Sequence, residues 1–464
     1  MTLIISISGI RGTTGGLPGE GLTPPDIIKY TAAFAQWLQV RSDAPKVVVG
    51  RDARPTGKLV SQLVCSALQG MGIDVVDLGL TTTPTVELAV TDEKAAGGII
   101  ITASHNPVEW NALKLLNHQG EFLSQDDGLQ ILDFAEKAEF KFASLKNLGS
   151  YYEDQTYLLK HIQKIVDLPL VDIELIKERN FSIAVDAVNS TGGIALPLLL
   201  QTLGVSQIEQ YHCEPNGKFP RNPEPIPENL REFSREIEKG NFDLGIVVDP
   251  DVDRLAFIQE NGEPFGEEYT LVAVADYILE NHPGGTTVSN LSSTRALKDI
   301  TEKHGGTYHA SAVGEVHVVE QMKKHQAVIG GEGNGGIIYP ELHYGRDALV
   351  GIALFLTKLA KFGKSVSRLR ASYPNYYISK QKIELTEDID VDQLLAMIQE
   401  KYKRQPVNNV DGVKIEFDKE WVHLRKSNTE PIIRIYTESD TLATAEYLGS
   451  KIISDMKEII TNNQ

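Results

Sequence analysis

The stretch KVVVGRDARPTGKLVSQLVCSAL, residues 46–68, contains the unit from which the rest of the chain is read. Its apolar run, Val47-Val48-Val49, is continuous rather than alternating, which suits a strand buried on both faces. A polar turn and a helix-like stretch follow. Two more segments complete the unit, IDVVDLGLTTTPTVELAV and GGIIITASHNP, each opening on a strand-like run. The succession recurs as SIAVDAVNSTGGIALPLLL, IEQYHCEPNGKFP and DLGIVVDPDVDR, and again as TTVSNLSSTRALKDI, GTYHASAVGEVHVVEQM and AVIGGEGNGG. No two stretches are identical, so the repeat lies in the pattern. It predicts α/β layers with parallel or mixed sheets. Three loops, TASHNP, DPDVDR and GEGNGG, fall at equivalent places. Open α/β sheets present ligands at the carboxyl ends of their strands, so three such domains would turn these loops toward one cleft.

The chain has 464 residues, long enough for several domains. Hydrophobic residues make up 41% and charged residues 23%, the balance of a globular protein. A net charge of −18 argues against a general nucleic-acid binder. A local cluster of Arg and Lys still admits an anionic small substrate. Two distant cysteines, Cys65 and Cys213, predict neither a disulfide framework nor a zinc site. The opening MTLIISISGIRGTTGG lacks a basic leader, and no run reaches the ~20 apolar residues that span a bilayer. A soluble, reduced, cytoplasmic protein with no membrane partner is expected.

The last part differs. From about residue 370, YYISKQKIEL reads as a strand and TEDIDVDQLLAMIQEKY as a helix opened by an acidic turn. GVKIEFDKEWVHLRKS is hairpin-like, PIIRIYTES a strand and TLATAEYLGSKIISDMKEII a helix. This is a small α+β domain, with the segment from Arg425 to Arg434 placed between two strands.

In DPDVDR, three carboxylates at i, i+2 and i+4, Asp249, Asp251 and Asp253, repel one another unless a cation bridges them. Oxygen ligands without His or Cys point to Mg²⁺ or Ca²⁺ rather than zinc. Glu260 stands at position twelve of an EF-hand count from Asp249, but position six is Arg254 instead of Gly and the flanks are strand-like, so an EF-hand is rejected. Arg254 beside the triplet suits phosphate charge. Ser104 in TASHNP reads equally as a turn or cap residue before Asn106-Pro107 and as a group that carries a phosphoryl to the metal. GEGNGG is neither a dinucleotide fingerprint nor a P-loop. Its glycines let backbone approach a ligand, while Glu332 and Asn334 offer hydrogen bonds to sugar hydroxyls. In LRKSNTEPIIR, Arg425, Lys426, Ser427, Asn428, Thr429 and Arg434 combine guanidinium, ammonium and hydroxyl groups into a phosphate cradle.

With these loops in this order, the whole chain resembles the α-D-phosphohexomutase family. TASHNP is similar to the family's phosphoserine loop, which makes Ser104 the phosphorylated residue and a metal ligand beside Asp249, Asp251 and Asp253. DPDVDR resembles the magnesium loop, GEGNGG the sugar-specificity loop and RKSNTEP the phosphate loop. GIRGTTG resembles the opening motif and maps Arg11 onto the active-site arginine; NALKLL brings Lys114 to the place of the general base. The resemblance implies four domains around a central cleft: 1–149 for phosphoserine, 150–254 for metal, 255–369 for sugar and 370–464 for phosphate. The first three are similar α/β domains with mixed sheets, and the fourth is α+β.

It also implies the chemistry. Phospho-Ser104 on Mg²⁺ gives its phosphoryl group to the sugar, a bisphosphate forms and reorients, and the other phosphate returns to Ser104. Arg11, Arg254 and Lys114 supply charge, and His105 lies beside the phosphate. A proton-moving Lys114 needs its pKa lowered by cationic neighbours or burial. A sugar bisphosphate acts as activator. Three departures stand out: Gly336 where many members have His, Val252 where Gly is usual, and Lys426 where Pro is common. If the backbone at 252 requires positive φ, a β-branched residue is costly there.

GEGNGG followed by IIYPELHYGRDAL is most similar to the phosphoglucosamine mutase branch, so the expected reaction interconverts glucosamine 6-phosphate and glucosamine 1-phosphate, with phosphomannomutase/phosphoglucomutase as the alternative. A phosphorylated hexose or hexosamine is the partner, and the chain is expected as a monomer or homodimer. His317 and His343 receive no role.

Overall fold

The structure, a computed structural model, describes residues 2–6, 9–385, 389–426 and 432–463. It forms two compact units: Met1–Ile278 with Asn334–Arg370, and Leu279–Gly333 with Ala371–Gln464.

In the first unit, the strand Lys46–Arg51 lies between two parallel partners, Asp74–Leu80 and Gly97–Ile101. The run is buried on both faces as its composition predicts. Val47 and Val49 join Ile99 and Ile101 against the helices Pro24–Gln39, Gly57–Gly70 and Gln125–Lys137. Val48 and Ile100 face the other way, with Val86 and Ala89 of the helix Thr83–Asp92. Four more strands complete a seven-stranded mixed sheet: Trp110–Leu116, Gly9–Thr13 and Leu3–Ser6 on one side, and Tyr151–Glu153 on the other.

The second pass repeats this plan. Ser182–Asp186 lies between parallel Gln207–Tyr211 and Leu244–Val248, and Leu255–Gln259 returns antiparallel beside the last. In the second unit, Thr286–Asn290 lies between parallel Thr307–Ser311 and Ile329–Glu332. All three passes therefore place the first strand in the middle and the loop-bearing third strand beside it. Each also has a helix before its third strand, Thr83–Asp92, Arg231–Lys239 and Glu315–His325, which the sequence pattern blurred into loop or strand.

Two expected boundaries meet paired strands. Tyr151–Glu153 adds to the first sheet beyond residue 149, and a division after Arg254 cuts the hairpin of Leu244–Val248 with Leu255–Gln259. Ala348–Phe362 is buried almost throughout, as a helix apolar all round should be.

The last domain is a five-stranded antiparallel sheet with the helices Val391–Lys401 and Leu442–Asn463 on its core. Arg425 and Arg434 sit within its strands Trp421–Lys426 and Ile432–Ser439 rather than between strands. Among the described residues no helix is long and apolar enough to cross a membrane.

Candidate active site

The loops after Gly97–Ile101 and Leu244–Val248 meet. The Ser104 hydroxyl donates to Asp249 Oδ2 at 2.9 Å, bridging 145 positions of sequence. Ser104 is buried and left-handed, at φ 48°. A non-glycine residue holds this conformation only where its surroundings over-determine it. Those surroundings centre on Arg54, 1% exposed. Its guanidinium donates to the Ser104 and Asn106 carbonyls at 2.6 and 2.7 Å, and to those of Pro107 and Trp110. Asp52 anchors it, accepting from Arg54 Nε at 3.1 Å and from the Thr102 hydroxyl at 2.6 Å. The sequence reading missed Arg54, although it lies in GRDARPTG, the polar turn that ends the first strand of the repeat.

The three aspartates converge. Each offers a carboxylate oxygen within 4.8 Å of the others, and all three are buried. Asp249 Oδ1 accepts the backbone N–H groups of Asp253 and Arg254, both at 3.2 Å. Asp251 Oδ2 accepts from the Thr83 hydroxyl and from Lys114, each at 2.7 Å. Asp253 Oδ2 accepts from Arg346 at 2.7 Å. Two buried oxygens, Asp251 Oδ1 and Asp253 Oδ1, meet no hydrogen-bond donor among the described residues. Buried carboxylate oxygens left open in this way are costly unless a cation takes them, and an all-oxygen set suits Mg²⁺. The residues present therefore fit that ion. Glu260 plays no part: it accepts from the backbone and hydroxyl of Ser367.

Lys114 corrects an expectation. Burial pulls its ammonium down, as foreseen, but Asp251 at 2.7 Å and Asp253 at 3.7 Å outweigh burial and hold it above its ordinary value. Asp251 is the counterpart: burial pushes it up, and Lys114 and Thr83 hold it below the usual carboxylate range. Asp249 has no such cation in contact, and burial followed by its two acidic neighbours raises it. His105 is pulled down to about 4, by burial first and then by Arg254. Its neutral ring places Nδ1 3.4 Å from Ser104 Oγ.

Arg254 donates to Glu224 at 3.2 Å. Arg11, in Gly9–Thr13, is exposed and stands opposite Ala112 in the register. It thus lies diagonally from Lys114 on the same sheet face. Val252 has φ 64° and is fully buried, so the magnesium-type loop does require the left-handed backbone that a β-branched residue resists. A Cβ at Gly336 would stand 2.4 Å from Arg346 Cδ. Arg346 thus fills the space of the side chain that Gly336 lacks, and its charge goes to Asp253. Asn334 turns its amide oxygen to the Gly336 N–H at 3.2 Å.

In the second unit, Glu332 is 5% exposed, and its Oε1 accepts from Asn290 at 2.8 Å and from the Gly314 N–H at 3.1 Å. Arg425 and Arg434 are direct cross-strand partners. Like charges so placed repel, and an anion between them would relieve the repulsion. Asp411 takes part of that charge, 2.9 Å from Arg425. Lys426 pairs with Asp392 at 3.2 Å. Ser427, Asn428 and Thr429 lie outside the described residues.

Four family models match in order: phosphoglucomutase/phosphomannomutase alpha/beta/alpha domain I over residues 4–142, domain II over 158–262, domain III over 266–377, and the C-terminal domain over 382–453. A phosphoglucomutase/phosphomannomutase of Thermococcus kodakarensis is 35% identical over 96% of this chain and 98% of its own. A phosphoglucosamine/phosphogalactosamine mutase of Sulfurisphaera tokodaii is 30% identical over 97% and 98%. A solved phosphoglucomutase/phosphomannomutase family protein of Burkholderia thailandensis shares the fold, with a TM-score of 0.84, 24% identity and 98% of each chain covered.

Proposed function

This chain belongs to the phosphoglucomutase/phosphomannomutase family and is a phosphohexomutase, an isomerase; from that premise we propose that it interconverts glucosamine 6-phosphate and glucosamine 1-phosphate through phospho-Ser104. The observation that carries the reading is the Ser104 hydroxyl, 2.9 Å from Asp249 in a carboxylate cluster with two oxygens still open. The sugar's free hydroxyl oxygen attacks the phosphorus of phospho-Ser104. The phosphorus–Oγ bond breaks, the hydroxyl's proton passes to the departing Ser104 oxygen, and the sugar becomes a bisphosphate. After it reorients, Ser104 Oγ attacks the opposite phosphate, and its proton passes to the sugar oxygen freed as the isomer leaves.

Asp249, Asp251 and Asp253, with a Ser104 oxygen, would hold Mg²⁺, which when bound neutralises phosphoryl charge and shares the aspartates' negative charge. Lys114 carries its proton in the arrangement seen, so it acts first as a cation and proton donor. It turns proton acceptor once Asp251 and Asp253 no longer hold that proton. Arg11 and Arg254 face the phosphoryl charge, and His105 stands beside Ser104 with its Nδ1 3.4 Å from Oγ. Arg54 positions the Ser104 loop through four carbonyls. Glu332 and Asn334 read the sugar, and Arg425 and Arg434, with Ser427, Asn428 and Thr429, cradle the phosphate that is not reacting. Four functional domains, expected at 1–149, 150–254, 255–369 and 370–464, have their first boundary moved past Glu153 and their second past Gln259, in a cytoplasmic monomer or homodimer.

The relative with 35% identity supports the second reading, a phosphomannomutase/phosphoglucomutase. Assay of kcat/KM on glucosamine, glucose and mannose phosphates, with Mg²⁺ and a sugar bisphosphate activator, decides between them. Glucosamine 6-phosphate should be fastest. If it runs well behind glucose or mannose phosphate, the alternative stands.

A further inference from the structure

A second polar cluster lies in the first unit. His161 of the helix Tyr157–Val166, His343, and Asp347 at the N-cap of Ala348–Phe362 each offer a ligand atom within 4.8 Å of the others. His161 is 1% and Asp347 0% exposed. Asp347 Oδ1 is occupied by the N–H groups of Leu349 and Val350. Its Oδ2 is met by His161 Nε2 at 2.9 Å and His343 Nε2 at 3.3 Å, from rings at 90° to one another.

The far side of each ring is braced. His161 Nδ1 lies 2.9 Å from the Thr85 hydroxyl, and His343 Nδ1 lies 3.3 Å from Glu87 Oε2. Metal-bound imidazoles are oriented in this way, with the second nitrogen on a carboxylate or oxygen. Glu87 is a further, independent observation. It is 2% exposed, and among the described residues neither of its oxygens completes a hydrogen bond of normal geometry. Two buried carboxylates, Glu87 and Asp347, carry charge that one divalent cation balances in full.

We propose that His161, His343 and Asp347 form a zinc site, distinct in chemistry from the all-oxygen aspartate triplet. Two imidazoles and one carboxylate suit Zn²⁺ and not Mg²⁺, and three protein ligands leave the fourth tetrahedral position open. The His343 side chain, 10% exposed, gives the ion a way in. The ion cross-links the helix that carries His161 to the segment that carries His343 and Arg346, and Glu87 joins it through His343 Nδ1; the Arg346 guanidinium meets Asp253 at 2.7 Å.

The test uses the full chain, stripped with a chelator, loaded with Zn²⁺ in the presence of excess Mg²⁺, desalted and analysed for zinc per chain. Wild type and Asp251→Asn should each retain one zinc, and His161→Asn and His343→Asn none. Co²⁺ in place of Zn²⁺ should give the visible bands of a tetrahedral, imidazole-ligated ion in the first pair only. Glu87→Gln keeps all three ligands and should weaken zinc binding by about 10- to 100-fold, so the site is tested even if the histidine variants fail to fold. Wild type without bound zinc, a Co²⁺ spectrum without tetrahedral bands, or zinc that survives both histidine substitutions and leaves with Asp251→Asn would overturn the proposal.

Discussion

Two buried carboxylate clusters in the first unit differ in the basic groups that face them: ammonium and guanidinium in one, imidazoles in the other. In the aspartate triplet, Lys114 reaches in on a flexible stem, and two carboxylate oxygens stay open. In the histidine cluster, His343 has a carboxylate at each ring nitrogen, Asp347 and Glu87. Burial alone would lower that imidazole, but Asp347 and then Glu87 outweigh it and push it up to about 10. The first cluster stands on loops at strand ends, with left-handed residues at Ser104 and Val252. The second hangs on helices and an N-cap. In both, a protonated side chain stands where a metal ion can take over the charge, an ammonium on the loops and an imidazolium beside the helices.

The comparison breaks first at Ser104. Ser104→Ala removes the phosphoryl carrier and leaves the three aspartates, so turnover should fall by at least about 10⁴-fold, as expected when a nucleophile is deleted, while Mg²⁺ still binds. A variant that isomerises at wild-type rate would mean the open oxygens serve something other than phosphoryl transfer.

Lys114→Met asks whether the lysine and the metal share a task. Loss of a proton carrier should reduce kcat/KM by about 10²- to 10⁴-fold. In chelator-treated protein the variant also leaves the aspartates without their ammonium, a loss of about 3 kcal/mol for a broken buried pair. Excess Mg²⁺ should restore most of that loss. Thermal melts with and without Mg²⁺ check it, and equal destabilisation in both would show that lysine and metal are not interchangeable.

A buried histidine without carboxylates sharpens the other half. His423, in the second unit, has the Ser292 hydroxyl at 2.9 Å and the Asp411 carbonyl at 2.6 Å. Burial therefore dominates and lowers it to about 4. The unfolded chain takes up that proton near pH 6.5, and the folded one does not until about pH 4. Stability is thus complete above about pH 6.5 and falls on acidification, by about 3 kcal/mol once both values are passed. His423→Gln should flatten that part of a urea-denaturation profile. An unchanged slope would place the loss elsewhere.

What was legible in the sequence follows the same division. The strand-end loops could be read because each concentrates its chemistry in one short stretch: Ser104 in TASHNP, the aspartates in DPDVDR. The parallel triplets could be read because their strands are continuous apolar runs. Arg54, Thr83 and Arg346 could not. Each is one polar residue on a turn, helix or connecting segment, and its partner lies 50 to 168 positions away. The histidine cluster was hidden for that reason, since His161 and Asp347 are 186 positions apart. The lowered pKa that a proton-moving Lys114 requires is not what the fold supplies, because two aspartates that no local pattern places beside it face its ammonium.

The smallest expected effect lies at Val252. Its φ of 64° costs a β-branched residue about 1–2 kcal/mol relative to right-handed backbone. Glycine would remove that strain. It would also give up a fully buried side chain, worth about 1.5–3 kcal/mol, and add about 0.5–1 kcal/mol of backbone entropy to be lost on folding. The opposing effects leave Val252→Gly destabilised by about 1.5 kcal/mol. The backbone contacts of the loop, Val252 N–H to the Asp249 carbonyl and Ala348 N–H to the Val252 carbonyl, do not depend on the side chain. Mg²⁺ affinity should therefore change little. Paired denaturation and Mg²⁺ titrations separate the two effects. If the variant is more stable than wild type, strain outweighs packing in this loop, and Val252 is retained for the shape it gives the aspartates rather than for the core it fills.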